Sequence, residues 1–206
     1  MKNPLLYQRS EYDCGPTAML NAVSYLFERE EIPPEIIRNI MLYCLDCYGA
    51  DGVSGKSGTS CTAMMFLSNW LNGFGKVGRL PVSSQYLSGR EVYIDAQSPV
   101  CDGLRRGGAV VVRLFFDEWH YVLLTGWKDG LVYLFDPYYR DVPFEQAEIR
   151  CDLNHPFSYN RIVPQSFFNR EELALYALGP ADTREAVLLF NETTKLTAEK
   201  TIEYFI

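Results

Sequence analysis

Residues 7–26 read YQRSEYDCGPTAMLNAVSYL, and residues 109–137 read AVVVRLFFDEWHYVLLTGWKDGLVYLFDP. In the first stretch Met19, Leu20, Val23, Leu26 and Phe27 recur at three and four, which predicts a helix over 13–27. Asp13 stands at its N-cap position, and Pro16 falls inside the first turn, where a missing N–H costs nothing. In the second stretch a β-branched run follows Gly107-Gly108, and two further apolar runs flank Lys128-Asp129-Gly130, predicting a β-hairpin or meander. Helices first and antiparallel strands afterwards give an α+β class, a helical N-terminal part packed on an antiparallel sheet.

Working outward, Pro33-Pro34 opens a second helix whose Ile36, Ile37, Ile40, Met41, Cys44 and Leu45 keep helical spacing, with Gly49 as its stop. Residues 49–60, rich in Gly and Ser, read as a loop, and Ser60 or Thr59 caps a third helix through Ala63, Met64, Leu67, Trp70 and Leu71. A short helix over 100–106, a late strand over 186–190 and a small helix ending at Phe205 complete the expectation. With 206 residues and no repeat or dividing linker, the chain is expected to form one domain over 1–206.

A formal charge of −7 argues against nucleic acid as a partner and against an anionic membrane surface, since both are held by clustered Lys and Arg. A hydrophobic share of 48% excludes intrinsic disorder. Glu11 and Asp13 interrupt any signal-peptide core, and the uncharged run 57–75 is too polar to span a bilayer, so no membrane segment and a cytoplasmic location are expected. In that compartment the six cysteines are expected to be thiols rather than disulfides.

One thiol stands apart. Cys14 falls at the first turn of a helix, where unpaired N–H groups and the macrodipole favour the thiolate. Gln8, six residues upstream, can turn its amide toward an oxyanion formed there, and Gly15 with Pro16 keeps the approach open. A thiol nucleophile needs an imidazole to take its proton and a third group to orient the ring. His120 and Asp136 follow in that order, one at the start of a strand and one at the end of the next. A two-residue turn at Asp129-Gly130 would place Asp136 opposite Leu123, on the wrong face. The loop is therefore expected to hold three residues, Lys128-Asp129-Gly130 with Gly130 left-handed, which puts Asp136 opposite Val122 and diagonal to His120.

Those two stretches resemble the bacteriocin-leader, double-glycine type of cysteine peptidase domain, which has a papain-like fold. The resemblance runs over about 6–137 and takes in Gly58-Thr59-Ser60 and the strand AVVVRL. It implies that Cys14 is the nucleophile, Gln8 the oxyanion-hole donor, His120 the general base and acid, and Asp136 its orienting carboxylate. Residues 138–206 form an extension to which the resemblance assigns no role. The transporter segments often fused to such domains are absent from this sequence, so the resemblance does not carry over a substrate.

Other signals are weaker. Residues 50–57 fit a relaxed phosphate-loop pattern, but helical periodicity precedes them where a strand is required. Cys44 and Cys47 have zinc-like spacing without a second pair, and Cys44 sits on an apolar helix face. His155 reads as a surface residue with no carboxylate nearby in sequence, while Trp119, Tyr121, Tyr138 and Tyr139 flank the site as groove-lining candidates. The expected activity is hydrolysis of a peptide or amide substrate, needing no cofactor and no metal. Acyl transfer to an amine by the same thiol, and a catalytically silent peptide-binding module, are the two alternatives.

Overall fold

The computed structural model describes residues 1–197. The small helix expected to end at Phe205 lies outside the described residues. Three helices come first: α1 (Cys14–Leu26), α2 (Pro34–Cys44) and α3 (Cys61–Lys76). The strands are β1 (Val82–Ser88), β2 (Ala109–Phe116), β3 (Glu118–Lys128), β4 (Leu131–Phe135), β5 (Arg150–Cys151), β6 (Arg161–Pro164) and β7 (Glu185–Asn191), with α4 (Pro99–Arg105) ahead of β2. Every pairing is antiparallel, in one sheet of order β1-β7-β2-β3-β4-β6-β5. The α+β class follows as expected. Residues beyond Pro137, which the resemblance left without a role, supply β5, β6 and β7, and β7 is buried along its whole length between β1 and β2.

Both faces of the sheet are covered, which is why AVVVRLFF reads as a continuous apolar run instead of alternating. On one face Met19, Ile36, Ile40 and Leu67 from the helices pack on Val111, Leu123 and Leu189. On the other, Val110, Val112, Val122, Leu124 and Leu134 meet α4 and side chains between 144 and 178. No helix among the described residues is long and apolar enough to cross a membrane.

Two expectations are corrected. Helix α2 ends at Cys44, five residues before Gly49, with only Ile36, Ile40 and Cys44 buried. Its continuation is pre-empted by Asp46, whose carboxylate accepts from the Ser60 N–H at 2.9 Å and from the Ser60 hydroxyl, tying the following loop to the start of α3.

The hairpin loop is the second correction. Lys128 pairs with Leu131, so the turn holds two residues, Asp129 and Gly130, at φ 52° and 74°. Two left-handed residues make the I′-type turn whose twist matches the strands, and Asp-Gly is a preferred pair for it. The parity needed by Asp136 comes from elsewhere. The register slips by one between Leu124 and Gly126, a β-bulge at Thr125, after which Leu123 pairs with Phe135. Asp136 therefore follows on opposite Val122, on the face of His120, by a bulge rather than by an odd-length loop. Thr125 is held in that bulge at both ends: its hydroxyl donates to the Tyr133 carbonyl at 3.3 Å, and its own carbonyl accepts from the Tyr25 hydroxyl of α1 at 3.2 Å.

Candidate active site

Helix α1 brings Cys14 to its first turn, buried at 7% exposure. Asp13 makes no side-chain cap. Its carboxylate instead accepts from the Arg9 and Ser10 N–H groups at 3.0 and 2.7 Å and from the Ser10 hydroxyl at 2.7 Å. Burial disfavours that carboxylate, but these donors outweigh it and hold its pKa below the ordinary value. The loop 8–13 is thus braced from within, and the Gln8 N–H ties it to the Pro137 carbonyl at 2.9 Å, next to Asp136. The Gln8 amide nitrogen donates one hydrogen to the Ser10 carbonyl at 2.8 Å and keeps a second, while its oxygen is buried without a donor.

Gly15 explains the tight approach behind Cys14. A Cβ placed there would lie 2.2 Å from Thr59 Oγ1 and 2.7 Å from Thr59 Cβ, so the 58–60 loop can rest on α1 only because residue 15 has no side chain. Gly15→Ala is expected to cost about 1–3 kcal/mol by overpacking. Thr59→Gly in the same chain, which removes both opposing atoms, should recover most of that loss in thermal melting. Thr59→Ala should not, since it leaves the Cβ in place.

His120 is buried at 7% exposure, and its Nε2 lies 2.7 Å from Asp136 Oδ1. An ionised carboxylate has no proton to give, so Nε2–H is the donor, and Nδ1 is the ring nitrogen left for a thiol. Burial alone would lower the His120 pKa. The charge and hydrogen bond of Asp136, joined by interaction with the Cys14 thiol, outweigh it and raise the value to about 10. For Asp136, burial pushes the pKa up, but His120, the Tyr138 N–H at 2.9 Å and the charge of Arg161 bring it below the ordinary value.

The structure thus brings Cys14, His120 and Asp136 together and sets Gln8 on the same wall. Two hollows share Cys14 as a lining residue. The smaller, about 340 Å³, is lined by Gln8, Cys14, His120, Trp119 and Tyr138 among others. The larger, about 700 Å³, shares Cys14 and Trp119 and is also lined by residues 56–61, Arg113 and Tyr121. Of the four flanking aromatics, Trp119, Tyr121 and Tyr138 line these hollows, whereas Tyr139 packs edge-on against Tyr7.

Sequence reasoning missed the support behind this wall. The Asn160 side chain brackets the backbone of Asp136, accepting from its N–H and donating to its carbonyl, both at 2.8 Å. The Tyr176 hydroxyl donates to Asp136 Oδ2 at 3.0 Å. Beneath the larger hollow, Glu185 of β7 accepts from the Tyr121 and Tyr86 hydroxyls at 2.8 and 2.9 Å and pairs with Arg113 at 3.1 Å. These residues sit in irregular segments or at a strand end, where no periodicity marks them.

The discounted signals resolve plainly. Cys44 is fully buried, and burial pushes its thiol pKa up. Residues 50–57 follow α2 across a loop and no strand leads into them. His155 is exposed as expected, yet it does have a carboxylate neighbour, Asp152, at 3.3 Å and three residues away in sequence.

The family model described as Peptidase_C39 like family matches residues 2–166. Among solved structures, one similar chain is a double glycine motif protease from an AMS/PCAT transporter, in complex with the leader peptide. It shares 15% identity at a TM-score of 0.44, over 91% of this chain and 89% of that one. No curated protein matches the sequence.

Proposed function

Given that the chain belongs to the Peptidase_C39 like family, we propose that it is a cysteine peptidase in which Cys14, His120 and Asp136 act as a nucleophilic triad on a peptide or amide bond. One observation carries the reading: a buried imidazole is fixed by a 2.7 Å bond to a buried carboxylate, and it shares a cavity wall with a thiol at a helix N-terminus.

In this mechanism His120 Nδ1 already holds the proton taken from the Cys14 thiol when substrate arrives, and the Cys14 sulfur attacks the carbonyl carbon. The Cys14 N–H, which has no acceptor within the helix, and the second Gln8 N–H are the donors this mechanism assigns to the oxyanion that forms. The C–N bond breaks as His120 returns the proton to the leaving nitrogen. Water, deprotonated by the same ring, then splits the thioester and frees the thiol. Asp136 stays ionised throughout, holding Nε2–H so that Nδ1 faces the sulfur.

The test is the rate of iodoacetamide alkylation at each cysteine, resolved by peptide mass spectrometry. Cys14 should react faster than the other five at neutral pH in the wild type and lose that lead in His120→Ala. Equal rates at Cys14 and Cys101 would refute the reading.

The raised His120 pKa also sets a stability trend. A folded value of about 10 against an ordinary 6.5 means that the native state holds a proton the unfolded state releases. Its stabilising contribution is fully present below pH 6.5 and is lost as pH rises through about 10. The melting temperature should therefore fall more steeply between pH 7 and 10 in the wild type than in His120→Ala. Parallel slopes would mean that the imidazolium is not held.

A further inference from the structure

Resting on the triad reading above, we infer that Tyr176 is a positioning residue of the active site: its hydroxyl holds the second oxygen of Asp136 so that the first stays aligned on His120.

The carboxylate has two oxygens with separate keepers. Oδ1 accepts from His120 Nε2 and the Tyr138 N–H, and Oδ2 accepts from the Tyr176 hydroxyl at 3.0 Å. Without a donor on Oδ2, the carboxyl group is free to rotate about its own bond and to pull Oδ1 off the ring. Charged and titratable groups facing Asp136 are His120, Tyr176 and the buried Arg161. The Arg161 guanidinium donates to the Asn160 and Tyr138 carbonyls at 2.9 and 3.3 Å. Burial and the neighbouring Asp136 raise the Tyr176 hydroxyl well above its ordinary pKa, so it remains a donor at every working pH.

Two features show that the hydroxyl is held in place deliberately by the fold. Tyr176 is fully buried, its ring enclosed by Phe116, Phe144 and Phe168 at centroid distances of 5.7, 5.8 and 6.4 Å. Its backbone is left-handed at φ 60°, a strained state for a tyrosine, and is kept there by two bonds to one residue of β2. The Tyr176 N–H donates to the Phe115 carbonyl, and the Phe115 N–H donates to the Ala177 carbonyl, both at 2.8 Å. The residue lies past position 166, where the family match stops. This chain thus adds to the core of its site from a segment the family description does not reach.

The experiment compares the full chain with Tyr176→Phe, Phe144→Leu and His120→Ala, following Cys14 alkylation by iodoacetamide from pH 4 to 9. Tyr176→Phe keeps the ring and removes only the donor. The ionised Asp136 then loses a stabilising bond, takes up its proton at higher pH, and releases the imidazolium that sustains the thiolate. The acid limb of the alkylation profile should move up by about one pH unit. Phe144→Leu disturbs the same ring cluster without touching the carboxylate, so it should lower the melting temperature and leave the limb in place. A Tyr176→Phe profile that overlays the wild type would overturn the inference while the triad stands. Cys14 reactivity unaffected by His120→Ala would instead overturn the triad reading itself, and the role of Tyr176 with it.

Discussion

Cys14→Ala should leave no measurable cleavage of any peptide that the wild type cuts in a scanning library, a fall of at least ~10⁴-fold. The size follows from the roles. An alanine has no atom to form the acyl bond, and what remains is the field of the helix terminus and the Gln8 amide. His120→Ala should fall nearly as far, and the double variant no further, because thiol and imidazole act as one unit. Cys61→Ser is the matched control. Cys61 is exposed at the rim of the larger hollow, and its replacement should leave the rate unchanged. Cleavage that survived Cys14→Ala would assign the chemistry to another group.

Leu189→Ala should be among the costly single truncations in the sheet. Leu189 is fully buried in β7, with Ser84 on one flank and Ala109 on the other, and its side chain packs in the core beneath α1 and α3. No neighbouring strand can close the gap without giving up ladder bonds, so the cavity persists and the cost is about 2–5 kcal/mol. In a chain of this size that is about 4–20 °C of melting temperature by calorimetry. Leu173→Ala, at a side chain 55% exposed, should shift stability by no more than about 0.5 kcal/mol. Equal melting temperatures for the two variants would contradict the central place of β7.

What could be read from the sequence was what repeats. The helical spacing of Met19, Val23 and Leu26, the cap at Ser60 and the apolar run at 109–116 all reappear in the structure within a residue or two. Cys14, His120 and Asp136 could be singled out because each lies next to a strong element boundary. The hairpin shows where the reading failed. Asp136 was placed on the correct face for an incorrect reason, since a bulge at Thr125 leaves no mark in an otherwise alternating run, whereas Asp-Gly advertises its turn openly. Asn160 and Tyr176 were illegible for a different cause. Their roles depend on contacts 24 and 40 residues away in sequence, and nothing local distinguishes them from other loop residues.

The place of β7 also governs timing. By residue 136 a ribosome has made Cys14, His120 and Asp136, but among the described residues β1 has β7 alone as its neighbour in the sheet and so still waits for it, and one edge of β2 is equally bare. Val82 waits for Asn191 and Ala109 for Leu189. Pairings so distant along the chain close late. The nascent polypeptide thus carries Cys14, His120 and Asp136 on an unfinished frame, and the walls they share close only once nearly all of the described sequence has emerged.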